Sequence, residues 1–393
     1  MRTPDNNITE LDDCLITSKK RPIANKYEQR ARELIAAADV QINGDRPWDI
    51  QVHNSKLYQR TFARGSIGLG EAYMDGWWDC EQLDELFYRL FAIGIEGKIT
   101  DWRSIWLTLQ AKIINPQNTR RAFKVGRQHY DIGTDLYERM LDKRMIYSCG
   151  YWDNAIDLNA AQEAKLTLIA EKLGLESGMQ VLDIGCGWGG AAAFFAEHYG
   201  VKVTGITISE GQAIHARRLC RDLPVDILMK DYRDIEGRYD RIYSVGMFEH
   251  VGYRNYAAYM EIVRCCLVDD GLFLLHTIGR NDSATHTDPW IERYIFPNSM
   301  TPSAVQISSA TERRYVLEDW HNFGPDYDTT LLAWYQNINA CWQQLKGAYD
   351  ERFQRMWNYY LLSSAGAFRA RNLQVWQLVL SPKGIPGGYK APR

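Results

Sequence analysis

Val181-Leu-Asp-Ile-Gly-Cys-Gly-Trp-Gly-Gly190 reads as a short apolar strand, a glycine turn and the start of a helix. Glycine lets the main chain reverse sharply and lets a ligand lie directly against it. The spacing is G-x-G-x-G and lacks the last-glycine spacing of a dinucleotide loop. Asp183 also stands just ahead of the first glycine. A carboxylate there repels a pyrophosphate and suits a cationic ligand with an amino group and a sulfonium. The expected cofactor is therefore S-adenosylmethionine, held by Asp183, Gly185, Cys186, Gly187 and Gly189. The next strand ends in Gly205-Ile-Thr-Ile-Ser-Glu-Gly-Gln212, with no acid at its tip. Thr207 and Gln212 can take the ribose hydroxyls instead. In Lys230-Asp-Tyr-Arg-Asp234, Asp231 can accept from the adenine amino group. Tyr232 either covers the adenine face or is a partly exposed surface aromatic.

These residues need a frame that brings strand ends together. From about Leu158 onward, short apolar strands alternate with amphipathic helices. Helices are expected at Gln162–Leu173, Ala191–Tyr199, Glu210–Leu219 and Tyr256–Leu267. Strands are expected at Gln180–Ile184, Val201–Ile206, Val225–Leu228, Arg241–Val245 and Leu272–Thr277, with later edge strands at Val316–Asp319 and Gln374–Leu380. The pattern predicts an α/β fold, a doubly wound Rossmann-like sheet of the class I methyltransferase type. Residues near 24–114 read as mostly helical, through Ile23–Val40, Leu83–Ile95 and Arg103–Ile114. Gly65-Ser-Ile-Gly-Leu-Gly70 follows no buried strand, so a tight turn is expected there rather than a nucleotide loop. Asn115–Asn118 breaks the helical pattern. Lys112–Arg127 carries five cations and no acid, and is either a solvated linker or a contact for an anionic lipid surface. The expected organisation is a helical N-terminal domain at 1–114, a basic linker at 115–127 and the catalytic domain at 128–393.

Composition narrows the class. A net charge of -3 argues against nucleic acid as the partner. With 13 Trp and 23 Tyr, the chain can fill a core or handle an apolar or cationic ligand. The 8 Cys form no CxxC pair, so no metal site is expected. Met1–Lys20 carries acids where a signal peptide is apolar, and no run is long enough to span a bilayer. The expectation is a cytoplasmic protein with free thiols.

Several longer motifs then occur in order: Tyr147-Ser-Cys-Gly-Tyr-Trp152, the glycine loop, Gly246-Met-Phe-Glu-His-Val251, Leu275-His-Thr-Ile-Gly279, Asp319-Trp-His-Asn-Phe323 with Asp326-Tyr-Asp-Thr329, and Ala365-Gly-Ala-Phe-Arg-Ala-Arg371. In these the chain resembles the cyclopropane-fatty-acyl-phospholipid synthases, the S-adenosylmethionine-dependent cyclopropane and mycolic acid synthase family. The resemblance implies methyl transfer to a cis double bond in a membrane phospholipid. The resulting cation then loses a proton and closes a three-membered ring. It also implies a bound bicarbonate as proton acceptor, held by residues matching Cys149, Glu249, His276, Ile278 and Tyr327, with Tyr147 and Ser148 on the cofactor. Further implications are a homodimer and transient docking on the inner surface of the membrane. Glu249 can accept the hydroxyl proton of bicarbonate, and His276, Tyr327 and the amides near Cys149 and Ile278 can donate to its oxygens, so no lysine is required. Tyr137 and Tyr151 either stabilise the cation or pack the core. Some relatives have a cysteine at the position of Ser364, so a thiol there plays no part in this chain. Two other readings keep the fold. One makes a methyl-branched or methylene product, and the other binds lipid without catalysis.

Overall fold

The computed structural model describes residues 26–95 and 133–393. The expected helix Arg103–Ile114, the break at Asn115–Asn118, the basic stretch Lys112–Arg127 and the segment Met1–Lys20 lie outside the described residues.

The N-terminal part contributes α1 (Lys26–Ala36), α2 (Lys56–Met74), α3 (Leu83–Ala92) and a small ladder of β1 (Gln51–Val52) with β2 (Trp78–Asp79). The run Gly65–Gly70 is not a turn. It lies inside α2, and only Gly65 leaves helical geometry, with φ 57° and ψ −137°. Tertiary packing overrides its low helix propensity, because Gly68 and Gly70 lie tight against the Arg60 carbonyl and the Trp290 ring.

The second part runs α4 (Thr134–Met140), α5 (Leu158–Leu173), β3 (Gln180–Ile184), α6 (Gly190–Tyr199), β4 (Lys202–Thr207), α7 (Glu210–Leu219), β5 (Val225–Met229), β6 (Tyr239–Val245), α8 (Tyr256–Cys266), β7 (Leu267–Arg280), α9 (Pro289–Tyr294), α10 (Ala304–Thr311), β8 (Val316–Asn322), α11 (Pro325–Leu345), α12 (Glu351–Arg369) and β9 (Leu373–Ser381). Local signals set the ends. Asp157 caps α5 by accepting from the Ala160 amide, and Gly174 closes it in the left-handed region.

The seven strands β3–β9 form one sheet in the order β5-β4-β3-β6-β7-β9-β8. The first five in that order are parallel, as expected of an α/β fold. β9 alone runs antiparallel to its two neighbours, and it is not an edge strand, because it inserts between β7 and β8. Eight apolar or neutral positions in a nine-residue strand are buried, which a covered strand tolerates and an edge strand does not need. The order of strands reverses at β3, with β4 on one side and β6 on the other, so ligands belong at the carboxyl ends there.

The N-terminal helices do not stand apart. Leu86, Phe87 and Leu90 of α3 share one apolar core with Trp334 of α11 and Trp357 and Tyr360 of α12. Arg369 ties α12 to Asp84 at 2.7 Å and to Asp328 at 2.8 Å. A Cβ on Gly366 would meet the Asp84 carbonyl oxygen and Tyr88 amide nitrogen at 2.7 Å each. Gly366→Ala is therefore expected to destabilise the fold by about 1–3 kcal/mol, because rigid backbone cannot give way. A thermal melt reads the effect directly.

Candidate active site

A cavity of about 190 Å³ lies at the carboxyl ends of β3, β4, β5 and β6. Ten of the eleven residues expected at the cofactor line it. Gly189 does not line it. It sits one residue ahead of α6, where a Cβ would press on Ala216 of α7 at 2.9 Å, so its smallness serves helix packing. Gly185 and Gly187, at φ 90° and 53°, form the turn itself, and the Gly185 and Cys186 amides both donate to the Ile206 carbonyl.

Asp183 is buried on β3 and accepts from the Tyr243 hydroxyl at 2.7 Å. Burial pushes its carboxyl up to about 7, against the opposing effect of that hydrogen bond. The Thr207 hydroxyl donates to Gln212 Oε1 at 3.0 Å, which leaves the amide NH₂ end of Gln212 as its ligand-facing donor. Both oxygens of buried Asp231 accept from the Arg233 guanidinium, at 3.1 and 3.0 Å. Tyr232 is no surface aromatic. It is buried and packs edge-on to Tyr259, 5.1 Å between ring centres.

Tyr147 and Ser148 reach the cavity from the loop after α4. The Tyr147 ring sits 5.2 Å from both Tyr137 and Trp334, and its hydroxyl is 2.9 Å from that of Tyr360. Sequence reasoning missed Trp188, Met247, His250 and Lys165 in the cavity wall. Trp188 and His250 were readable only as neighbours of the glycine loop and Glu249. Lys165 carried no signal beyond its place on a helix.

A second group of buried polar side chains adjoins this cavity. Glu249 lies in the 3-10 turn Phe248–His250 after β6. Its Oε1 accepts from the Ile278 amide at 2.6 Å, while its Oε2 has no hydrogen-bonding partner among the described residues. The Ile278 amide was expected to face a bound acceptor, but it is engaged by Glu249. Burial pushes the Glu249 carboxyl up to about 7, with the Ile278 amide, its own amide and the Thr277 hydroxyl opposing. His276 and Ile278 alternate along β7 and so share one face of the sheet. Burial keeps His276 neutral, well below its ordinary pKa, and its Nδ1 lies 3.3 Å from Gln377 Nε2 of β9.

Cys149 lies in the loop between α4 and α5, and Tyr327 lies on α11. Cys149 is fully buried, which pushes its thiol well above the usual range, so it is no nucleophile. Thr330 of α11 accepts from the Gly150 amide at 3.0 Å and binds this loop to the helix that carries Tyr327. Tyr327 packs between Phe368 and Trp334, with ring centres at 4.7 and 5.8 Å. Tyr137 is buried against Tyr147, Trp188 and Trp357, while Tyr151 lies edge-on to Phe323 and His321. Phe323 links the halves, 5.6 Å from His276 and 5.5 Å from Tyr151. Among the described residues, no group of three or more His, Cys, Asp and Glu side chains could hold a metal ion.

The site thus sets a cavity lined by the glycine turn and Asp183 near a buried carboxylate oxygen that has no hydrogen-bonding partner among the described residues. Residues 117–378 match the family described as mycolic acid cyclopropane synthetase. The chain belongs to that family. It is 50% identical to the cyclopropane-fatty-acyl-phospholipid synthase of Escherichia coli strain K12 over 364 residues, covering 92% of this chain and 95% of that one. Among solved structures, the cyclopropane synthase MmaA2 from Mycobacterium tuberculosis is 28% identical with a TM-score of 0.62, over 66% of this chain and 97% of that one. The mycolic acid cyclopropane synthase CmaA1 complexed with SAH and CTAB is 30% identical with a TM-score of 0.62, over the same shares. As a member of the mycolic acid cyclopropane synthetase family with the class I sheet, the chain is a methyltransferase.

Proposed function

We propose that this enzyme transfers a methylene from S-adenosylmethionine to cis double bonds of unsaturated phospholipid acyl chains, forming cyclopropane fatty acids, with bicarbonate as the proton acceptor. The observation that carries the reading is the buried Oε2 of Glu249, without a partner among the described residues, in a turn whose Met247 and His250 line the cofactor cavity. A buried carboxylate oxygen without a partner is costly, and a ligand carrying a hydroxyl proton relieves it.

When bound, S-adenosylmethionine supplies an electrophilic methyl group and bicarbonate supplies a weak base. The chain supplies the rest. Asp183 pairs with the cofactor's ammonium, and the glycine turn admits it against the backbone. An alkene is a poor nucleophile that no side chain activates, so alignment in a dry cavity does the work. Glu249 holds the hydroxyl of the acceptor, and His276 and Tyr327 donate to its oxygens. The Tyr147 ring, which lines the cavity, can stabilise positive charge nearby. With Cys149 kept as a thiol, no strong nucleophile competes for a carbocation.

The E. coli relative's name makes phospholipid the substrate class to test. No helix among the described residues is long and apolar enough to cross a membrane. Our reading has the enzyme dock transiently on the inner membrane surface, as a homodimer. The test mixes the purified protein with S-adenosylmethionine and vesicles of cis-unsaturated phospholipid. Mass spectrometry should find a gain of one methylene per modified chain, and NMR should find cyclopropyl protons. Absence of transfer overturns the proposal, and a methyl-branched product reassigns the fate of the cation.

A further inference from the structure

Two lysines of α5 are fully buried, and their surroundings differ. Lys172 forms an ion pair with Asp319, Nζ to Oδ2 3.2 Å. Lys165 lies two turns earlier on the same helical face and forms no ion pair among the described residues. Its ammonium donates to Ser148 Oγ and to Gln162 Oε1, 2.7 Å each, and its third proton has no acceptor there. Asp142, the acid whose charge acts on it, spends its oxygens on the amides of Ile146 and Arg144, at 2.8 and 3.0 Å. Gln162 also donates to the Ser148 carbonyl at 2.8 Å, so Gln162 and Lys165 together grip the segment Tyr147–Cys149.

Position gives this cation its interest. Lys165 lines the cofactor cavity, and its charge acts on the buried Cys149 and His276. A buried ammonium without a counter-charge is strongly unfavourable, and a bound anion is what removes the penalty. Burial pulls the amine down to about 7, with Asp142 and Cys149 opposing, so an arriving anion would restore full charge.

We propose that Lys165 is the counter-charge for a carboxyl-type oxyanion bound against Ser148, and that with Gln162 it positions the Tyr147–Cys149 backbone for that anion. This rests on the function proposed above and adds to it a lysine that hydrogen-bonding arguments alone left out. Two sources share this chemistry: the α-carboxylate of the cofactor, and bicarbonate.

The experiment compares Lys165→Met and Lys165→Arg with wild type in two arms. Calorimetry measures binding of S-adenosylhomocysteine and of 5′-methylthioadenosine, which lacks the amino-acid carboxylate. Kinetics in carbon-dioxide-free buffer measure the bicarbonate concentration giving half-maximal rate. At least a tenfold loss for S-adenosylhomocysteine, with methylthioadenosine unchanged, supports the proposal with the cofactor as source. Unchanged binding with a tenfold or greater rise in half-saturating bicarbonate, beyond any fall in kcat, supports it with bicarbonate as source. Either loss should be partly recovered by Lys165→Arg. Equal losses for both nucleosides, or no change in either arm, overturn it. Should Lys165→Met fail to fold, Lys165→Gln keeps a polar head and gives the same readouts. A wild type indifferent to bicarbonate sinks the bicarbonate reading alone and leaves the binding arm to decide Lys165.

Discussion

Glu249→Gln is expected to bind S-adenosylhomocysteine as wild type does, yet to turn over at least ~100-fold more slowly, within the usual range for losing a proton-handling group. The amide keeps an oxygen for the Ile278 N–H, so the 2.6 Å contact between the β6 turn and β7 survives. What changes is the other end of the group. The orphaned Oε2 accepts, whereas an amide nitrogen donates and so faces the acceptor's hydroxyl proton with a proton of its own. The carboxyl must be ionised to accept. With its pKa raised to about 7, wild-type turnover should fall as pH drops below that value, by up to tenfold per unit, and the glutamine variant should lose this limb. Stability should move the other way. A raised folded pKa means that stability is full at low pH and is lost as pH rises from the ordinary carboxylate range through about 7. The neutral variant escapes that loss, so at pH 8 its melt should be no lower than wild type. Wild-type turnover, or lost cofactor binding, would overturn the role given to Glu249.

Asp183→Asn should show the opposite separation, with binding lost and the fold intact. The Tyr243 hydroxyl that donates to Asp183 at 2.7 Å can donate equally to an amide oxygen. An amide cannot pair with the cofactor's ammonium, so affinity for S-adenosylhomocysteine should fall roughly 10–100-fold, the scale of one charged hydrogen bond. In the free protein the carboxyl sits at about 7, and the cationic ligand favours its ionised form. Wild-type affinity should therefore weaken as pH falls below about 7, with a proton released on binding. Titration calorimetry in buffers of different ionisation enthalpy reads that proton. The asparagine variant should release none through this group, and an unchanged affinity would remove Asp183 from the cofactor's contacts.

The two variants probe neighbouring carboxyls with similar pKa values and different partners, and only one of them was recognisable from its own surroundings. Asp183 stands beside a glycine turn whose spacing is itself informative. Glu249 was singled out through a resemblance, since an acid before a histidine in a turn has no chemistry of its own. The strand–helix alternation from Leu158 gave the parallel sheet and its order of elements because burial on both faces writes continuous apolar runs into the chain. It misplaced β9, because an antiparallel insertion and an edge strand have the same local pattern. Gly65–Gly70 shows the same limit. Its propensity favours a turn, and only the packing of Trp290 and the helix backbone keeps it helical.

By itself, the sequence determined what depends on neighbours along the chain: the glycine turn, the acid ahead of it and the alternation that builds the sheet. Tertiary structure decided what depends on partners far apart in sequence. It spent the Ile278 amide on Glu249, left Oε2 of that residue without a partner among the described residues, took Gly189 out of the cavity wall and put Lys165 into it. The physical reason is that backbone conformation answers to local sterics. Protonation and hydrogen-bond supply answer to burial and to the groups that long-range packing brings within reach, which no spacing along the chain encodes.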